Sequence, residues 1–233
     1  DLHDACLEFE AALGEGSGAC TLMGALYALA DAFSSQPPSP TTVATVRLSA
    51  HTHELSCAFL GTACEITTST LVVEAPGGRA TVDGGGASWG FTVADAGALE
   101  LRNLALANFA NDGGGAAVYV GSGADATLDD VQVQDCDGGD DPTADFGGAL
   151  LVAGEDGGTR GGRAVLRNSA LRRNRAGAGG AAFVGPGASL TADGSVFQAN
   201  EAKHKGGAIV AVGDVTLQNT DLTANRAYLG GAL

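Results

Sequence analysis

The pattern that most constrains this chain is Phe197-Gln198-Ala199-Asn200 followed by Gly206-Gly207-Ala208-Ile209, because variants of it recur from about Leu99 to Leu233. Leu106, Val133, Leu171, Phe197 and Leu222 align as equivalent positions, with spacings of 27, 38, 26 and 25 residues. The long spacing contains an insertion. Seven residues earlier stand Leu99, Ala126, Ala164, Leu190 and Val215, and five earlier stand Leu101, Leu128, Leu166, Ala192 and Leu217. All are apolar, and the two-residue step puts both sets on one face of a strand. A period near 25 marks a solenoid in which each repeat is one coil.

Three residues after the reference position come Phe109, Cys136, Asn174, Asn200 and Asn225. Stacked asparagines pass amide hydrogen bonds between layers, so Asn174, Asn200 and Asn225 are expected to form a ladder. The next column, Ala110, Asp137, Arg175, Glu201 and Arg226, alternates in sign over its last four members. It predicts a surface ladder of ion pairs. A glycine pair closes each repeat: Gly114-Gly115, Gly147-Gly148, Gly179-Gly180, Gly206-Gly207 and Gly230-Gly231. Such pairs permit positive φ and close approach of neighbouring backbones. They also argue against a leucine-rich repeat, as does the lack of a helical pattern between the strands.

Phe197-x-x-Asn200 with Gly206-Gly207-Ala208-Ile209 resembles the FxxN and GGAI repeats of the polymorphic outer-membrane protein family. Leu171 to Asn174 with Gly179-Gly180-Ala181, and Leu222 to Asn225 with Gly230 to Leu233, match with Leu in place of Phe. Thr81-Val82-Asp83-Gly84-Gly85-Gly86 resembles the opening coils of pectin-lyase-like proteins. The resemblance covers roughly Ala80 to Leu233; Phe109 and Cys136 depart from it by replacing the Asn. It implies an all-β fold, a right-handed parallel β-helix, with an extracellular or cell-surface setting and an adhesin-like role. The resemblance does not extend to the family's autotransporter barrel, so membrane anchoring is not among its implications.

Ahead of the repeats, Leu2, Cys6, Phe9 and Leu13, then Leu22, Leu26, Leu29 and Phe33, fall at helical spacing. Residues 1–36 are therefore expected as a helical N-terminal cap, residues 37–40 as a proline-rich linker and residues 41–233 as the β-helix. Strands are expected over 43–48, 65–73, 80–82 and 91–93. The closing Gly230-Gly231-Ala232-Leu233 predicts that the solenoid continues beyond 233. No stretch of about 18 apolar residues offers a membrane-spanning helix.

The formal charge is −15, but nine of the twelve Lys and Arg residues lie from Arg160 onward. That acidic balance excludes generic nucleic-acid binding while leaving room for a local anion site. Arg160, Arg163, Arg172 and Arg173 lie in a stretch free of acids and are the candidate contacts for an anionic glycan. Of the five cysteines, none has CxxC spacing. Disulfides Cys6–Cys20 and Cys57–Cys64 are expected in an oxidising compartment; five buried thiols are the alternative.

The insertion holds Asp135, Asp137, Asp140, Asp141 and Asp145, hard oxygen ligands at a density suited to calcium. EF-hand spacing and calcium-binding nonapeptides are both missing, and a solvated acidic loop is the competing reading. Asp140-Asp141 resembles the doubled aspartate of polygalacturonase-like enzymes, but their Gly-His-Gly and Arg-Ile-Lys motifs are missing. The expected function is therefore a non-catalytic structural or binding module for glycans or protein partners. A polysaccharide lyase or glycoside hydrolase is the alternative, and an ice-binding surface built on Thr191 and Thr216 a minor one.

Overall fold

A computed structural model describes residues 21–35, 42–57, 64–141 and 143–233. Its architecture is an all-β parallel solenoid, as the repeat columns predict. The first sheet stacks seven strands in chain order: Val43–Arg47, Thr70–Glu74, Ala98–Arg102, Asp125–Asp129, Arg163–Arg167, Ser189–Asp193 and Asp214–Gln218. The second also has seven: Thr52–Glu54, Ala80–Asp83, Leu104–Ala107, Gln132–Gln134, Ala170–Arg172, Val196–Gln198 and Asp221–Thr223. The third has six, from Glu65–Ile66 through Phe91–Val93, Val118–Val120, Leu150–Val152 and Ala182–Val184 to Ile209–Ala211. A two-stranded ribbon, Arg175–Ala178 with Glu201–Lys205, lies between the second and third in the later coils.

The sequence columns are the registers of these sheets. Leu99, Ala126, Ala164, Leu190 and Val215 pair in succession, as do Leu101, Leu128, Leu166, Ala192 and Leu217. Leu106, Val133, Leu171, Phe197 and Leu222 do the same in the second sheet. Alternation sends these side chains inward, where Leu101, Leu106, Leu166, Leu171 and Phe197 are fully buried. The core is consequently a narrow column of Leu, Val and Ala with Phe91, Phe109 and Phe197 as its largest members.

From Leu104–Ala107 onward, two corners bound each second-sheet strand, and both use left-handed backbone. Asn103, Asp130, Asn168, Gly194 and Asn219 form the first, at φ between 47° and 60°. Asn, Asp and Gly are the residues that tolerate this region. The second corner stacks Asn108, Asp135, Arg173, Ala199 and Ala224 at φ between 53° and 56°. A third bend carries Gly147, Gly179, Gly206 and Gly230 at φ between 63° and 71°.

Several expectations are corrected in detail. The run expected over 65–73 is two strands, Glu65–Ile66 and Thr70–Glu74, separated by a turn in which Ser69 N–H donates to the Thr67 carbonyl. Thr52–Glu54 is a strand that its His-rich composition conceals. The first glycine pair is out of register: Gly114 bridges Phe146, and Gly115 N–H donates to the Gly147 carbonyl. Gly115 and Ala116, not Gly114 and Gly115, are therefore the equivalents of Gly147 and Gly148.

At the N-terminal end, helix α1 (Leu22–Ser35) places Leu22, Leu26 and Ala28 against the first coil. The Thr21 hydroxyl accepts from Gly24 N–H at 3.2 Å and caps it. The expected helix over Leu2–Leu13, the Cys6–Cys20 bridge and the 37–40 linker lie outside the described residues. Cys57 and Cys64 form a disulfide with Cα atoms 5.7 Å apart.

Candidate functional site

The second corner carries most of the polar chemistry. Asn174 N–H donates to Asn200 Oδ1 at 3.0 Å, and Asn200 N–H to Asn225 Oδ1 at 3.0 Å. The side-chain amides also donate along the stack, Asn174 Nδ2 to Asn200 Oδ1 and Asn200 Nδ2 to Asn225 Oδ1. Each amide further reaches a backbone carbonyl one coil back: Asn174 to Val133, Asn200 to Leu171 and Asn225 to Phe197. Asn174 Oδ1 in turn accepts from Cys136 N–H. Asn174 and Asn200 are fully buried, so these bonds satisfy groups that would otherwise cost about 1–3 kcal/mol each.

Outside the ladder, Asp135 receives both Nε and Nη2 of Arg173, at 2.8 and 2.7 Å. Asp137 receives Arg175 at 2.6 Å. Hydrogen bonding first, then the adjacent charge, raises the pKa of both arginines. A groove of about 380 Å³ runs between these pairs, over Phe109 and Cys136. The Cys136 thiol is buried, and desolvation pushes its pKa up to about 12.

The acidic insertion disperses its carboxylates. Asp141 accepts from the Thr143 hydroxyl at 2.6 Å and from Thr143 N–H at 2.8 Å. Those bonds hold its pKa below the usual carboxylate value. Asp145 is buried and accepts from Asp141 N–H, while Asp140 lies 3.9 Å from Lys203 Nζ. Asp135, Asp137, Asp140, Asp141 and Asp145 thus meet separate partners. Among the described residues no three His, Cys, Asp or Glu side chains converge to hold a metal. Phe146 anchors the end of the loop by stacking on Phe183, with ring centres 4.5 Å apart.

The four candidate glycan-binding arginines divide between two sheets. Arg160 binds Asp125 and the carbonyls of Gly123, Ala124 and Gly161, bracing a loop beside the first sheet, where Arg163 also lies. Arg172 and Arg173 belong to the second sheet and its corner. Thr191 and Thr216 do pair, but Val165, Glu100 and Val72 interrupt the threonines of that column.

Two ladders escaped the sequence reading. At the end of the first-sheet strands, Arg47, Glu74, Arg102, Asp129, Arg167 and Asp193 stack in register with strictly alternating charge. The step one residue beyond the Leu101 column was the available signal. Ser169 and Ser195 form a buried hydroxyl ladder: Val131 N–H donates to Ser169 Oγ, and Ser169 N–H to Ser195 Oγ.

No family model matches the chain, and no curated protein is similar to it in sequence. Among solved structures, similarity is found to HetL, a pentapeptide repeat protein involved in heterocyst differentiation regulation from the cyanobacterium Nostoc sp. strain PCC 7120. It covers 88% of this chain and 92% of that one at 14% identity, with a TM-score of 0.18. A likeness of that size carries neither fold nor function to this chain. Among the described residues no helix is long and apolar enough to cross a membrane.

Proposed function

We propose that this chain is a non-catalytic, extracellular or cell-surface module of the polymorphic outer-membrane protein type, on a right-handed β-helix, that presents its lateral faces to glycans or protein partners. The observation that carries the reading is the state of the carboxylates around the second corner. Asp135 and Asp137 are tied to guanidinium groups, and Asp141 is held ionised by Thr143. A general acid for glycoside cleavage needs its pKa raised toward the working pH. Asp141 is shifted the other way, which disfavours it as that acid. The Cys57–Cys64 disulfide is compatible with an oxidising compartment.

Incubation with a polysaccharide panel, read by reducing ends and unsaturated products, tests the non-catalytic part. No product is expected; turnover that survives purification and is lost in Asp141→Asn would replace this reading with the enzymatic one. Calcium titration by calorimetry separately tests a metal role for the insertion.

A further inference from the structure

We propose that the outer face of the second sheet is a glycan-binding surface anchored by Arg172, and that it takes glycans whose carboxylates are sparse. The inference rests on the reading of the chain as a binding module and names the ligand class. Two outward columns make this face. One runs Ala107, Gln134, Arg172, Gln198 and Thr223; the other runs Ala105, Gln132, Ala170, Val196 and Asp221. Successive members lie about 4.8 Å apart. Ala105, Ala107 and Ala170 keep one part of the face low, between taller polar side chains.

Three of the arginines near Arg172 are taken up by carboxylates. Arg173 is committed to Asp135, Arg175 to Asp137 and Arg160 to Asp125. Arg172 makes no ion pair among the described residues, and its Nε is buried without a hydrogen-bond partner. Among the described residues it is the one side-chain nitrogen or oxygen in that state. A guanidinium receives a carboxylate through two parallel N–H bonds, and the two terminal nitrogens of Arg172, unlike its buried Nε, are open and unpartnered among the described residues. One coil to either side stand Gln134 and Gln198, whose side chains form no hydrogen bond to the described residues. An amide both donates and accepts, which suits sugar hydroxyls flanking the carboxylate.

Charge sets the density of anions that this face accepts. A single guanidinium sits between neutral amides, and the whole chain carries −15. A lone unpaired cation gives a dense polyanion few partners on this face, whereas one carboxylate among hydroxyls is matched by Arg172 and its flanking amides.

The test is calorimetric binding of the full chain to sialyllactose, which has one carboxylate, with lactose as the neutral control and heparin as the dense polysulfate. Sialyllactose is expected to bind and lactose not. Arg172→Gln, which extends the amide column and leaves the inward Leu171 in place, is expected to weaken sialyllactose binding by about tenfold or more. Arg167→Gln, on the first sheet, is expected to leave it unchanged, and an unshifted thermal midpoint in both variants verifies folding. The inference is overturned by absent sialyllactose binding, by equal lactose binding, or by binding that Arg172→Gln does not weaken. Heparin binding tighter than sialyllactose and indifferent to Arg172→Gln also overturns it, placing the anion site elsewhere. Substrate cleavage with intact Arg172 dependence would instead remove the non-catalytic reading and keep the anchor.

Discussion

The second corner is built in two ways along the same solenoid. In the earlier coils the left-handed residue is Asn108 or Asp135, followed by Phe109 or Cys136 in the interior. In the later coils it is Arg173, Ala199 or Ala224, followed by Asn174, Asn200 or Asn225. The polar residue has moved one place along the chain. Asn and Asp adopt the left-handed region with little penalty, whereas other L-residues lose roughly 1–2 kcal/mol there. The later corners offset that cost with the buried amide ladder, which ties each coil to the coil before it through main-chain and side-chain bonds. The earlier corners need no such ladder and fill the same column with Phe109 and sulfur. One backbone geometry is therefore held by local preference in one region and by inter-coil hydrogen bonding in the other.

The sharpest way to break this comparison is to remove a rung. Asn200→Ala strands Asn174 N–H and the Leu171 carbonyl without their amide partners. It also leaves Ala199 left-handed without its support. A loss of about 3 kcal/mol is expected, seen as a fall of roughly 6–12 °C in thermal midpoint. A loss below about 1 kcal/mol would mean that the ladder does not hold the later corners.

The early corner should respond to backbone preference instead. Asp135→Ala keeps φ near 56° but substitutes a residue that disfavours it, and it frees Arg173. The expected loss is about 1.5 kcal/mol. Asp135→Gly removes the same ion pair while relieving the backbone, so denaturant unfolding should place it clearly above the alanine variant. Equal losses in the two would assign the effect to the ion pair and sink the distinction.

Cys136 offers a pH probe of the column that lacks the amide. Its folded pKa is raised, so the native state holds the proton more tightly than the unfolded chain does. Its contribution is fully present below pH 9 and is lost as pH rises through the folded value near 12. Each unit of that window removes up to about 1.4 kcal/mol. Denaturant titrations between pH 8 and pH 10 should show a flatter profile for Cys136→Ala than for the parent.

The inward columns were legible because each repeats one residue class at a near-constant spacing once the insertion is set aside. The ladder asparagines were legible for the same reason. The Asp137-to-Arg226 column was legible as an alignment, but of the ion-pair ladder expected there Arg175 with Asp137 is the pair formed among the described residues. The second corner was hidden because Arg173, Ala199 and Ala224 have no left-handed preference of their own; their conformation comes from the Asn that follows. The first glycine pair was misplaced because Gly113-Gly114-Gly115 is a run of three, which permits two registers, and only the Gly115 bond to Gly147 decides between them. Nor does sequence separate Arg172 from Arg173. They are neighbours of identical type, and the choice of which one Asp135 engages depends on the corner between them.

The smallest effect belongs to the charge column beside the ladder. Asp137, Arg175, Glu201 and Arg226 are aligned coil by coil, but Arg175, Glu201 and Arg226 are exposed, and the ion pair formed is Arg175 with Asp137. Glu201→Lys places a cation between Arg175 and Arg226 without touching the buried Asn200. Screening by water limits the penalty to about 0.5 kcal/mol at low ionic strength, and molar salt should erase most of it. The contrast with Asn200→Ala, one residue earlier, is the decisive readout. If the two substitutions cost the same, and salt rescues neither, the corner is held by its whole strand segment and not by the amide at its centre.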